Sequence, residues 1–214
     1  MAKNVIIIGS GPGLSAGIAE KFGKEGFSIG LISRNAENLS KQAGELKTLG
    51  IEAHFATADA YNKDSLANAI SHLQSKMGTI HTLVYNAATL KMKGIMDETA
   101  EELVDDFKIS VANAFHSVKL LHKDLKENQG VVLLTGGGFA NNPSPQFGSL
   151  SLGKASLRNL AFQLNEVLKA DNIYVGTVTI NGYIQSNSET HSPRIVAEQF
   201  WQLHQQRNQA EIQF

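Results

Sequence analysis

Directly after an apolar run, Val5–Ile8, the chain reads Gly9-Ser10-Gly11-Pro12-Gly13-Leu14-Ser15 and then takes on helical spacing. Glycines so placed let a backbone turn tightly and approach a pyrophosphate, whose charge the N-terminus of the following helix stabilises. Any tight turn would also prefer glycine. A second apolar run ends Leu31-Ile32-Ser33-Arg34. An acidic side chain there would accept from a ribose 2′-hydroxyl, whereas an arginine accommodates a 2′-phosphate through its forked donors. The acid is missing and Arg34 is present, so these residues predict NADP(H) in preference to NAD(H), with a solvated loop arginine as the alternative. Seven histidines, at 54, 72, 81, 116, 122, 191 and 204, form no His-Glu-x-x-His pair, and without cysteine no metal site is expected.

The elements that would position these residues follow from periodicity. Strand-length apolar runs at Val5–Ile8, Ser28–Ile32, Glu52–Phe55, Thr82–Tyr85, Val131–Leu134 and Tyr174–Ile180 alternate with helical patterns over Leu14–Gly26, Ala36–Leu49, Lys63–Lys76, Ala100–Leu125 and Ser149–Ala170. Such alternation implies βαβ units, and strands this apolar are covered on both faces, so the fold class is α/β with a doubly wound parallel sheet of six or seven strands. Ser192 and Pro193 open a last helix expected to run to about Asn208, leaving room for only a short seventh strand. On that helix Phe200, Trp201 and His204 share a face, a spacing that predicts packing. The loops Ser10–Gly13, Asn86–Asp97, Gly136–Phe147 and Asn181–His191 would follow the carboxyl ends of strands one, four, five and six, the ligand-binding edge of open α/β sheets.

The 214 residues fit one domain spanning 1–214, and 42% hydrophobic against 18% charged residues excludes disorder. A formal charge of −1 leaves no basic field for nucleic acid or anionic lipid, and no partner of either kind is expected. After Met1-Ala2-Lys3-Asn4 only four strongly apolar residues precede Gly9, too few for a signal peptide or a membrane span, so the expectation is a soluble cytoplasmic protein.

These motifs together resemble the short-chain dehydrogenase/reductase family, over nearly the whole chain. Gly9 and Gly13 match the first two glycines of its Gly-x-x-x-Gly-x-Gly, and Ser15 replaces the third; Arg34 to Leu39 is similar to the Arg-x-x-x-x-Leu of NADP-preferring members. The resemblance implies a Rossmann-like fold whose cofactor meets Gly9, Ser10, Gly11, Gly13, Leu14, Ser33 and Arg34. It also implies contacts from Asp59 and Ala60 after strand three, with an ordinary turn aspartate as the alternative for Asp59. Tyr85-Asn86-Ala87-Ala88 resembles the Asn-Asn-Ala-Gly element and keeps its second asparagine, Asn86. Asn181 and Gly182 stand at the family's Pro-Gly, so Ile184 and Ser186 would face the nicotinamide carboxamide; Thr135 ends strand five at the same site.

The catalytic positions depart from that pattern. Where the family has Tyr-x-x-x-Lys, the chain reads Leu150-Ser151-Leu152-Gly153-Lys154. The supporting serine falls on Gly137 or Gly138, and the supporting asparagine aligns with Ser110, with Asn113 as a substitute. Lys154 would still hold the nicotinamide ribose. A proton for reduction would then come from Tyr183, Ser151, Ser149, Thr135 or water, with Tyr183 the best acid by type because the missing group is a phenol. The implied activity is hydride transfer to a small carbonyl or activated alkene substrate, and the alternative is an inactive NADP(H)-binding regulator. A homodimer or homotetramer built through residues 100–125 and 149–170 is also implied.

Overall fold

Val5 and Ile7 turn their side chains to one face of a strand and Ile6 and Ile8 to the other, as a period of two requires, and all four are fully or almost fully buried. The computed structural model describes residues 3–214; Met1 and Ala2 of the expected leaderless start lie outside the described residues. This strand, β1 (Lys3–Ile8), leads to α1 (Leu14–Lys24), β2 (Phe27–Ser33), α2 (Ala36–Thr48), β3 (Ala53–Thr57), α3 (Lys63–Met77) and β4 (Thr82–Tyr85). The second half runs α4 (Ala100–Phe107), α5 (Asn113–Glu127), β5 (Val131–Thr135), α6 (Gly148–Val167), β6 (Tyr174–Thr179), α7 (Pro193–Gln206) and β7 (Glu211–Gln213).

The seven strands lie in the order β3-β2-β1-β4-β5-β6-β7, and every neighbouring pair is parallel. A parallel sheet needs crossovers that cover both faces. Phe22 of α1, Leu39 of α2 and Phe200 of α7 close one layer of the core; Leu66 of α3, Leu121 of α5 and Leu157 of α6 close the other. The order reverses between β1 and β4. All carboxyl ends share one edge, so the crevice at that switch point receives the four loops singled out above.

Several boundaries differ from the sequence expectation for identifiable reasons. The expected helix Ala100–Leu125 is interrupted by a π-helical turn, Lys108–Ala112. There the buried Tyr85 hydroxyl donates to the Ile109 carbonyl at 2.5 Å, supplying a partner for backbone that the wider turn displaces. β3 begins at Ala53 rather than Glu52, whose carboxylate instead accepts from the Ser28 hydroxyl at 2.7 Å. The last helix stops at Gln206, two residues short of Asn208, because Arg207 turns left-handed with φ 49°. The seventh strand exists and is three residues long. Phe200 is buried, and Trp201 and His204 pack edge-on against Phe22, so this face is packing. Gly17 permits that docking, since a Cβ there would lie 2.5 Å from the Pro193 carbonyl oxygen. Among the described residues no helix is long and apolar enough to cross a membrane.

Candidate active site

The glycine turn is held from three sides. Gly9 has φ +88°, and a Cβ on it would sit 2.5 Å from the Ala87 nitrogen, so only glycine lets the end of β1 pass the segment after β4. Asn86 fixes that crossing by donating its side-chain amide to the Gly9 carbonyl at 3.0 Å. Ser15 hydroxyl accepts from the Gly11 N–H at 2.9 Å and lies 3.2 Å from the Gly9 carbonyl, so the residue in place of a third glycine closes the turn. Gly11 and Gly13 look into open space, with nothing within 4 Å of a Cβ on either, and no side chain caps the start of α1. Backbone donors and the positive end of a helix dipole therefore face a cavity.

That cavity, about 720 Å³, lies over the carboxyl ends of β1, β4, β5 and β6. Of the expected cofactor residues, it brings together Gly9, Gly11, Gly13, Leu14, Asn86, Ala88, Thr135, Lys154, Asn181, Gly182 and Ile184. Ser10 contributes no side chain to it, because its hydroxyl turns inward to the Ile7 carbonyl at 3.0 Å. Ala87 lies outside the wall, against Gly9, and Ser186 is exposed outside the wall on its loop. Ser33, Arg34, Asp59 and Ala60 also lie outside it, on or following the β2 and β3 ends, and Arg34 is exposed. The Asp59 carboxylate accepts from the Tyr61 N–H at 3.0 Å, a turn-capping bond. Leu90, Phe139 and Asn142 also line the cavity, and sequence reasoning missed them because they sit in loops with no motif to fix their direction.

At the deep end, Lys154 donates its ammonium to the Thr135 carbonyl at 2.7 Å, and the Thr135 hydroxyl is buried without a partner. Burial pushes the Lys154 pKa down to about 8. Leu150, one helical turn before it, is 8% exposed, and Gly137 leaves the lysine stem uncovered, with a Cβ there 3.4 Å from Lys154 Cε. Three expected substitutes do not reach this place. Ser151 is stapled to the backbone of Ser144, at 3.1 and 3.2 Å; Ser110 packs beneath Gly153; Asn113 donates to the Ala60 and Tyr61 carbonyls at 2.7 and 2.9 Å. Tyr183 lines the cavity at its rim and is 78% exposed.

The lowered lysine carries a testable sign. Between about pH 8 and the ordinary lysine range near 10.5, the unfolded chain holds a proton that the folded Lys154 has released, so stability rises with pH there. Relative to Lys154→Met, the wild type should gain stability across that window in denaturant titrations; a pH-independent difference would refute the burial argument.

Comparison with known proteins bears on this geometry. The short chain dehydrogenase family model matches residues 3–193. The chain belongs to that family. It is 28% identical over 184 residues to the Caenorhabditis elegans dehydrogenase/reductase SDR family member 4, covering 82% of this chain and 69% of that one. It is 29% identical over 118 residues to human short-chain dehydrogenase/reductase 3, covering 55% of this chain but only 39% of that protein. Among solved structures, a Rhodopseudomonas palustris short-chain dehydrogenase superposes with TM-score 0.87 at 23% identity, over 99% of this chain and 97% of that one. An alcohol dehydrogenase from the archaeon Thermococcus sibiricus, complexed with 5-hydroxy-NADP, gives 0.88 at 18% identity over 99% and 95%. The family binds a nicotinamide cofactor and carries out oxidoreductase chemistry.

In this short chain dehydrogenase the loop after β4 is anchored by charges that no motif announces. Lys91 Nζ lies 2.8 Å from Glu98, whose side chain is wholly buried, and 2.7 Å from Asp106 of α4. Burial alone would raise the Asp106 carboxyl, but Lys91, with the Ser149 and Thr89 hydroxyls, holds it below the usual carboxylate range. The cluster ties the wall containing Leu90 to α4 and the start of α6.

Proposed function

We propose that this short chain dehydrogenase is a cytoplasmic, NADP(H)-dependent oxidoreductase with an atypical active site, transferring hydride to a small carbonyl or activated alkene. The observation that carries the reading is the cavity itself. It joins the open faces of Gly11 and Gly13 at the start of α1 to Lys154 and the unpartnered Thr135 hydroxyl at its deep end. These residues fit a dinucleotide. Gly11, Gly13 and the first turn of α1 would take the pyrophosphate, Arg34 at the open edge would take a 2′-phosphate, and Lys154 would take the nicotinamide ribose. Ile184 and Asn181 would face the carboxamide.

Bound there, the cofactor supplies hydride. The chain's own residues orient it and exclude water from one side through Ile180, Ile184 and Phe139. With Leu150 and Gly137 in place of a phenol and a hydroxyl, protonation falls to Tyr183 at the rim or to water. Lys154→Ala and Arg34→Ala test the assignment. Each should weaken NADPH binding by about tenfold or more, given about 1.5–3 kcal/mol for a charged hydrogen bond, and lower any turnover; unchanged binding and activity in both would sink it.

A second reading, a dinucleotide-binding regulator without turnover, is favoured by the same Leu150 and Gly137. Tight NADPH binding with no hydride transfer to any acceptor would decide for it. The reading also includes a homodimer or homotetramer. It is supported by an apolar groove between α4 and α6, lined by Leu103, Val104, Phe107 and Leu152. Leu152→Glu should shift the sedimentation coefficient to that of a monomer; an unmoved oligomer would reject this face.

A further inference from the structure

We propose that the acceptor this site reduces is a flat, conjugated enone, and that it is reduced at the carbon–carbon double bond. The inference rests on the NADPH reading above and names its substrate class. Reduction of a saturated ketone leaves an alkoxide, at least as basic as hydroxide, which must be met by an acid or by oxyanion donors as it forms. At the deep end of the cavity the phenol and the serine suited to that work are absent, and the one unpartnered hydroxyl, that of Thr135, is an aliphatic alcohol whose pKa lies far from neutrality, a poor match for an acid. Position 150 is leucine, position 137 has no side chain, Ser151 is stapled to Ser144, and Tyr85 donates to Ile109. Beside the Thr135 hydroxyl stands the Lys154 ammonium, which spends a donor on the Thr135 carbonyl.

Conjugate addition places a smaller demand on such a site. The enone's β-carbon accepts hydride from the dihydronicotinamide, so that a C–H bond on the nicotinamide ring breaks, a C–H bond forms on the substrate, and the ring is oxidised. The alkene π pair becomes the α-carbon to carbonyl double bond and the carbonyl π pair moves to oxygen, giving an enolate whose charge is shared between oxygen and the α-carbon and needs no acid in the same step. A proton from water then forms the α C–H bond, releasing hydroxide to the solvent and leaving the saturated ketone. Water can arrive because the mouth is open: Tyr183 and Leu90 on the wall are both more than three-quarters exposed.

The walls suit a flat apolar molecule. Phe139 lines the cavity together with Leu90, Tyr183 and Ile184, and it is backed by Phe147, on which it stacks at 5.2 Å with 24° between planes. A planar acceptor can pack against Phe139, and aromatic contacts contribute about 0.5–1.5 kcal/mol beyond area burial.

The test uses 4-phenyl-3-buten-2-one and its saturated counterpart, 4-phenyl-2-butanone, with NADPH deuterated at the transferring position and NADPH affinity measured in parallel by calorimetry. Deuterium at the β-carbon, with the saturated ketone accumulating, is expected. Deuterium at the carbinol carbon, or consumption of the saturated ketone at a similar rate, overturns the inference while leaving the NADPH reading intact. So does no transfer with NADPH bound. No NADPH binding overturns both. A readout without turnover is binding of the enone to the complex with oxidised cofactor. Phe139→Ala should weaken it about two- to tenfold, and an unchanged affinity also overturns the proposal.

Discussion

Leu150→Tyr combined with Gly137→Ser should raise reduction of a saturated ketone by about 10²–10⁴-fold over the wild type, the contribution a positioned acid typically makes. Space and spacing both favour the graft. Leu150 precedes Lys154 by four residues on α6, so a phenol there shares the lysine's helix face. A Cβ at Gly137 meets only the Lys154 stem, at 3.4 to 3.6 Å, which is ordinary contact, whereas one at Gly138 would lie 2.8 Å from the Asn181 oxygen. Gly137 is therefore the position that accepts a serine. The ammonium of Lys154 would also lower the new phenol toward neutrality, the direction a general acid requires. Steady-state NADPH oxidation with cyclohexanone measures the gain. No gain, with NADPH affinity preserved, would mean that the nicotinamide and the substrate are not aligned over this helix face.

Lys91→Met should lower stability by about 3–5 kcal/mol, because it leaves Glu98 and Asp106 buried and facing one another without their shared cation. For a chain of this size that corresponds to a melting temperature lower by roughly 6–20 °C. Removing one of the two acids as well, in Lys91→Met/Glu98→Gln, should recover part of the loss, because two sites in one network are not additive. Thermal unfolding of the three proteins measures both effects. A single variant that melts with the wild type would show that water solvates the pair, and that the wall of the cavity is held by packing alone.

The periodic features of the chain were legible because one force sets each of them. Apolar strands such as Val5–Ile8 and Thr82–Tyr85 could be placed to within a residue or two, since burial on both faces keeps nearly every position apolar. The family was legible from Gly9, Arg34, Asn86 and Lys154, spaced along the whole chain. Side-chain direction was not. Ser10 and Ser151 carry the right chemistry at the right spacing, and both spend their hydroxyls on nearby backbone, a local competition that sequence position does not reveal. The π-helical turn at Lys108–Ala112 was hidden because the Tyr85 hydroxyl that partners its Ile109 carbonyl lies on a strand more than 20 residues away. No motif marks Lys91, Glu98 and Asp106 for the same reason: only the fold makes them neighbours.

Calorimetric titration of the protein with NADPH and with NADH at one salt concentration reads the glycine turn, Lys154 and Arg34 together. Both should bind, NADPH about tenfold tighter, near 1.4 kcal/mol, and Arg34→Ala should lose that preference. Equal affinities would contradict the role given to Arg34, and no binding of either would contradict the assignment of the glycine turn, Lys154 and the cavity between them to a dinucleotide.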